Sequence, residues 1–204
     1  MTRVTFDYDQ TTTVPLPGGD LEPHDIDRWA SEAAQQLATH HGFTATAEHA
    51  LALALARAQR SATSDPATNL LLHEPGTGAW APLRLTLADW EPDAGEQRRY
   101  LAPPSILAPR IRLAPTEGLG MGCSSTVSTS DGAAEVRWLF VTPRTSFFAR
   151  LGPIAPPVVA MIAARVEDLL NTVRIDGDVW SPSESFDPGA LARLAPDAEI
   201  SWRI

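Results

Sequence analysis

Hydroxyl side chains gather at Ser124, Ser125, Thr126, Ser128, Thr129 and Ser130, and the chemistry such groups can do is acyl transfer. A nucleophilic serine needs a base and an oxyanion hole, often at a strained strand-to-helix elbow of the GxSxG kind. Here the serines run along a strand-like segment that ends at Ser130-Asp131-Gly132. Hydroxyls on the solvent face of an antiparallel strand account for them. A triad assembled from distant residues would draw on Ser124, Ser125 and His73.

The five histidines offer little to a metal. His24-Asp25-x-Asp27 puts three ligand types at a helix start, where side chains diverge, whereas a metal site needs three or four convergent donors. Acids at that end of a helix are already favoured by its dipole. His40 and His41 close the same helix, His41 on its apolar stripe; His49 lies within the next helix and His73 ends a strand. There is no HExxH. Gly118-x-Gly120-x-Gly122 lacks both the GK[ST] of a phosphate loop and the third glycine of GxGxxG. It also precedes a strand instead of opening a helix. A turn or a close backbone approach is expected there. Cys123, the single cysteine, excludes an internal disulfide and a cysteine-based zinc site. With no evident base beside it, it reads as an inert thiol. Neither a metal nor a cofactor is expected.

The least ordinary stretch is RTSFFARLGPIA, residues 144–155. It reads as a connector between a strand and a helix, carrying Phe147, Phe148, Leu151 and Ile154 between Arg144 and Arg150. Folded back, these side chains cap the core. Left exposed, they make an apolar patch rimmed by arginine, the composition of a protein-binding surface. Arg144, Phe147, Phe148, Arg150, Leu151 and Ile154 are therefore the partner-binding candidates.

Periodicity supplies the elements that must position these groups. Ala134–Val173 is the best patterned part: Val136, Trp138 and Phe140 alternate with Arg137, Leu139 and Val141, and an apolar helical stripe follows at Val159, Ile162, Val166, Leu169/Leu170 and Val173. Pro156–Pro157 suits that helix start. Arg3–Asp9 alternates as a first strand. A helix over about Pro23–His41 stops at Gly42, and a second, capped by Thr44 or Thr46, reaches about Ala62. NLLLHE and AWAPLRLTLADW read as strands about a turn, with Pro82 marking an edge or bulge. EPDAGEQRRYLAPPS reads as a polar loop, ILAPRIRLAP as a short strand, and GLGMGC…WLFVTP as a hairpin turning at Ser130–Gly132. The segment from Arg174 onward reads as an extension anchored by Trp180, Phe186 and Trp202.

Consecutive strands on short turns, with helices clustered early and late, predict an α+β fold. We expect a single antiparallel β-sheet covered by two N-terminal helices and one long C-terminal helix, as one domain over 1–173 with an extension over 174–204. The layout is similar to the small sheet-and-helix domains of the Mog1/PsbP type, on element order alone. All 16 basic residues are arginine among 204 residues, which resembles the codon bias of a GC-rich bacterial genome. The net charge is −9, and residues 1–50 hold two arginines against eight acids. Nucleic-acid binding, which needs a positive face, is disfavoured. No signal-like or membrane-spanning run is present, so a cytoplasmic location is expected. The reading this supports is a non-enzymatic protein-binding or adaptor domain of immunity, chaperone or secretion-accessory type. Its acidic N-terminal third would suit a basic partner. The alternative is a small-molecule-binding domain or a hydrolase with a cleft between sheet and helices. A homo-oligomer is the third reading.

Overall fold

The computed structural model describes residues 4–62, 67–105, 107–175 and 180–193. The protein is α+β, with two sheets where one was expected. The larger has seven strands: β2 (Thr13–Pro15), β3 (Thr68–Glu74), β4 (Ala79–Ala88), β5 (Arg110–Thr116), β6 (Gly120–Ser128), β7 (Ala134–Val141) and β8 (Ser146–Ile154), ordered β2-β3-β4-β8-β7-β6-β5. The smaller pairs β1 (Val4–Thr5) antiparallel with β9 (Arg174–Ile175). Each strand is two residues long and its partner lies far away in the sequence, a pairing that local alternation cannot reveal. The anticipated strand over Arg3–Asp9 is thus confined, among its described residues, to Val4–Thr5.

The chain divides into two compact units, residues 8–84 and residues 1–7 with 85–204. In the first, α1 (Ile26–His41) and α2 (Ala45–Ala62) form a helical hairpin. Ile26, Ala30, Ala34 and Leu37 of α1 pack against Leu51, Ala54 and Leu55 of α2 and Leu71 of β3. The alanines let the two backbones approach closely, and the side chains recur at helical spacing. Gly42 adopts φ 68°, and its N–H donates to Ala38 O at 2.8 Å, the left-handed stop that glycine alone enters without strain. The acids at the start of α1 are met by arginines: Arg28 donates to Asp25 and Arg60 to Asp27, each at 2.6 Å. The Arg28 hydrogen bond holds the Asp25 carboxyl below the usual carboxylate range.

In the second unit, strands β5 to β8 carry helices on both faces. The register aligns Leu139 with Cys123 and Phe148, and Arg137 with Ser125 and Arg150, so these residues share one face. On that face α3 (Ala94–Leu101) and α5 (Pro188–Arg193) pack: Leu101, Phe186 and Leu191 join Ile111, Cys123, Leu139 and Val141 in one buried cluster. Val136, Trp138 and Phe140 alternate to the other face with their partners Leu151, Ala149 and Phe147, all buried. Helix α4 (Pro156–Thr172) packs against β7 and β8 and buries Ile162, Val166, Leu169 and Leu170. Because both faces are covered, β7 is apolar almost throughout.

Two stretches differ from the sequence expectation. The segment read as a polar loop contains α3, whose Asp93 accepts from the Glu96 N–H at 2.8 Å while Glu96 accepts from the Asp93 N–H at 2.9 Å. That reciprocal pair is a capping box. The segment read as a connector is β8, hairpinned to β7 through a turn in which Thr142 accepts from the Thr145 N–H at 2.9 Å. The extension docks through Phe186 and Leu191, and the Ser183 N–H donates to Val141 O at 3.0 Å. The Ser183 and Ser185 hydroxyls both donate to Glu91 and hold its carboxyl below the usual range. Trp202, expected to anchor the extension, lies outside the described residues.

Candidate functional site

The partner-binding residues read from the sequence divide between the two faces of β8. Phe147 and Leu151 are 0 % exposed and Ile154 is buried, so these three belong to the core and present nothing to a partner. Arg144 is exposed in the β7–β8 turn. Phe148 and Arg150 point to the opposite face, half-buried, and there they join residues that the sequence reading did not connect.

That face carries a row of three rings. Trp90, in the segment between β4 and α3, is 46 % exposed. Its ring centroid is 6.1 Å from that of Phe148, which lies 5.0 Å from Tyr100 in an edge-to-face arrangement at 77°. The two flanking residues are tied to β8. The Ser146 hydroxyl donates to Trp90 O at 2.8 Å, and the Tyr100 hydroxyl donates to Ala149 O at 2.8 Å. Gln97, buried in α3, donates to Pro92 O at 2.9 Å, so the helix that carries Tyr100 is tied to the chain that carries Trp90. Rigid aromatics of this kind lose little conformational freedom on binding.

Beside the rings lies an ionic cluster built on β7 and β8. Glu135 has a side chain 3 % exposed. Arg137 donates to its Oε2 from Nε at 3.1 Å and from Nη2 at 2.7 Å, while Nη1 donates to Tyr100 O at 2.7 Å. The Arg137 guanidinium also stands 5.6 Å over the Tyr100 ring, a cation–π distance. Arg150 donates from Nη2 to Glu135 Oε1. Its side chain is 41 % exposed, yet its Nε is buried with no hydrogen-bond partner. A buried donor left unsatisfied costs about 1–3 kcal/mol. The register between β7 and β8 shifts between Ala134 and Val136, so the extra residue of Gly152-Pro153 sits opposite Glu135. A bulge there sets the direction of the side chains around it.

The other chemical candidates are accounted for by their surroundings. The Ser125 hydroxyl is buried and donates to Leu101 O, and Ser124 pairs with Trp138 in β6–β7. His73 is buried, its ring 5.1 Å from Phe43, whose other neighbour His41 stacks at 5.3 Å. The His41 Nε2 lies 2.6 Å from Thr11 O. Among the described residues, no group of three or more His, Cys, Asp or Glu is placed to hold a metal ion. Two of the three glycines serve packing and the third a turn. A Cβ at Gly118 would come 1.9 Å from Val173 O, and one at Gly122 would come 2.4 Å from the Phe140 ring. Gly120 has φ 67° at the end of the β5–β6 turn.

Cys123 is 0 % exposed, and burial, with a smaller contribution from Asp187, pushes its thiol up to about 12. The folded state therefore keeps the proton as pH rises past the ordinary value of 9.0, and stability contributed by this group is lost upward from there. At pH 8 a disulfide reagent such as dithionitrobenzoate is expected to leave the native thiol unmodified and to label it stoichiometrically in urea. Labelling of the native protein at the rate of a free thiol would contradict this placement.

A polar cleft of about 490 Å³ is lined by Thr5, Phe6, Asp7, Glu117, Asn171, Thr172 and Arg174. It opens beside the β1–β9 pair. Arg174 faces Glu117 at 3.6 Å and donates to Asn171 O at 2.9 Å, so its charge is largely answered within the cleft. Among the described residues, no helix is long and apolar enough to cross a membrane. Comparison with known proteins finds no matching family model, no matching curated protein and no matching solved structure.

Proposed function

We propose that this protein is a non-enzymatic protein-binding or adaptor domain. It acts through the surface formed by Trp90, Tyr100, Phe148, Arg137 and Arg150. The observation that carries this reading is the aromatic row with Trp90 46 % exposed beside a part-exposed arginine. Trp, Tyr and Arg are the residues that most often dominate protein interfaces. The Tyr100 hydroxyl and the Trp90 carbonyl are both hydrogen-bonded to β8, which favours a preformed surface. Immunity, chaperone and secretion-accessory roles all suit it, as do a bacterial source and a cytoplasmic location. The Mog1/PsbP-type layout belongs to the same reading, supported by element order. With residues 8–84 holding four arginines against nine acids, a basic region on the partner would be drawn to that part of the chain. The same acidity argues against nucleic acid and against anionic membrane surfaces.

The test is affinity capture from a soluble extract of the native host, using the intact protein, Trp90→Ala and Phe148→Asp. Each variant is first shown to melt cooperatively. A stoichiometric partner held by the intact form and lost at least tenfold by both variants supports the reading; that loss is about 1.4 kcal/mol or more. A partner held equally by all three would place the interface elsewhere. Self-association would appear as a mass that rises with concentration. A second reading, binding of a small polar molecule, is favoured by the cleft beside Arg174. It would gain if metabolites, and no protein, were retained.

A further inference from the structure

Resting on the binding reading above, we propose that this surface recognises a side-chain carboxylate on an acidic peptide segment of the partner. Arg150 is the recognition residue, and Glu135 and Arg137 position it. The cluster holds two guanidinium groups against one carboxylate. Arg137 is fully committed: Nε and Nη2 go to Glu135 and Nη1 to Tyr100 O. The excess positive charge therefore sits on Arg150, which gives Nη2 to Glu135 and has a side chain 41 % exposed. Its Nε is buried, so the exposed part of the side chain lies elsewhere, and the hydrogens that Glu135 does not take are left for a ligand at the guanidinium end. A carboxylate takes two parallel N–H bonds from a guanidinium, a geometry that an amide or a point charge does not match.

The surroundings select a peptide over an isolated anion. Phe148 lies two residues from Arg150 on the same face of β8, and Trp90 extends that apolar floor by one ring. An aliphatic or aromatic residue next to the acidic one would rest there while the carboxylate engages Arg150. The chain as a whole carries −9, so the arginine is a local exception within an acidic protein. At physiological ionic strength, charges more than about 8 Å away are largely screened, whereas a direct contact is not. Distant acids thus oppose an acidic segment little once it has docked. Glu135 makes the site conditional: it holds Arg150 by Nη2 and offsets the repulsion between the two guanidinium groups.

The probes are two end-blocked peptides, Gly-Glu-Phe-Glu-Gly and Gly-Gln-Phe-Gln-Gly, titrated into isotopically labelled full-length protein. The Arg150 Nε–H and Trp90 indole signals are followed by NMR. The acidic peptide is expected to bind at least about tenfold more tightly than the amide peptide and to shift the Arg150 signal. In Arg150→Gln the ratio should fall below about twofold. Trp90→Ala should weaken both peptides alike. Equal affinities in the intact protein, an unshifted Arg150 signal, or an undiminished ratio in Arg150→Gln would each overturn the proposal. Should the captured partner still depend on Trp90 and Phe148 after such a result, protein binding stands and carboxylate recognition falls. Preference for the acidic peptide with no captured protein would mean the reverse: carboxylate recognition stands and the adaptor role falls.

Discussion

Phe147→Ser is expected to cost about 3–5 kcal/mol, in the range of aromatic truncations in protein cores. Phe148→Ser, one residue along, should cost about 1 kcal/mol, since only part of its ring area leaves water. The contrast follows from the two faces of β8. Phe147 is 0 % exposed, paired across the sheet with Phe140 at a ring separation of 6.4 Å, and Phe140 is equally buried. Serine there leaves a cavity and adds a hydroxyl with no partner. Phe148 stands between Trp90 and Tyr100 at the surface. Typical domains hold only about 5–15 kcal/mol in total, so Phe147→Ser takes a large fraction and Phe148→Ser does not. Equilibrium unfolding in urea measures both, with an unchanged slope showing that the unfolded state is unaltered. A Phe147→Ser variant within about 1 kcal/mol of the parent would mean that β8 is not seated as described. The same contrast dictates how the binding surface is probed: a variant that changes both phenylalanines together would confuse unfolding with loss of a partner.

What could be read from the chain is what local physics determines. Helix α1 shows its stripe and its Gly42 stop, α4 shows Pro156–Pro157 and its stripe, and the β6–β7 turn shows Asp131-Gly132, with Gly132 at φ 82°. Strand β8 is obscured for a physical reason. Phe147 and Leu151 point to one buried face and Phe148 to the other, so apolar residues fall on both parities and the period of two disappears. Gly152-Pro153 then looks like a linker, although it accommodates the bulge opposite Glu135. Helix α3 does announce itself through Asp93-x-x-Glu96, which is the pattern of a capping box. Pro92, Gly95 and Pro103–Pro104 around it suggest a loop instead. The ionic cluster is half visible: Glu135 and Arg137 are two apart on a strand and must share a face. Arg150 can join them only once the β7–β8 register is known, and Trp90 and Tyr100 only once α3 is placed on that face.

Glu135→Gln is the substitution expected to be most costly at the site itself, at about 3–5 kcal/mol, because removing one partner of a buried pair leaves the other uncompensated. The two arginines do not share that cost equally. Arg137, with a side chain 17 % exposed and three donors committed, bears most of it. Arg150, at 41 % exposed, is screened by solvent, and its own pairing is worth about 0–1 kcal/mol. Arg150→Gln should therefore unfold at nearly the parental urea midpoint, while Arg137→Gln should fall well below it. Replacing all three with apolar residues, Glu135→Leu, Arg137→Met and Arg150→Leu, is expected to recover most of the stability lost in Glu135→Gln. Well-packed hydrophobic substitutes often match or exceed a buried ion pair. That variant would fold and fail to distinguish the acidic peptide from its amide counterpart. If Glu135→Gln instead costs less than about 1 kcal/mol, the cluster is solvated and does not hold Arg150 in place. If the triple variant folds and still prefers the acidic peptide, the preference arises outside the cluster. A stable triple variant without that preference would mean that these charges are retained for recognition, at no benefit to the fold.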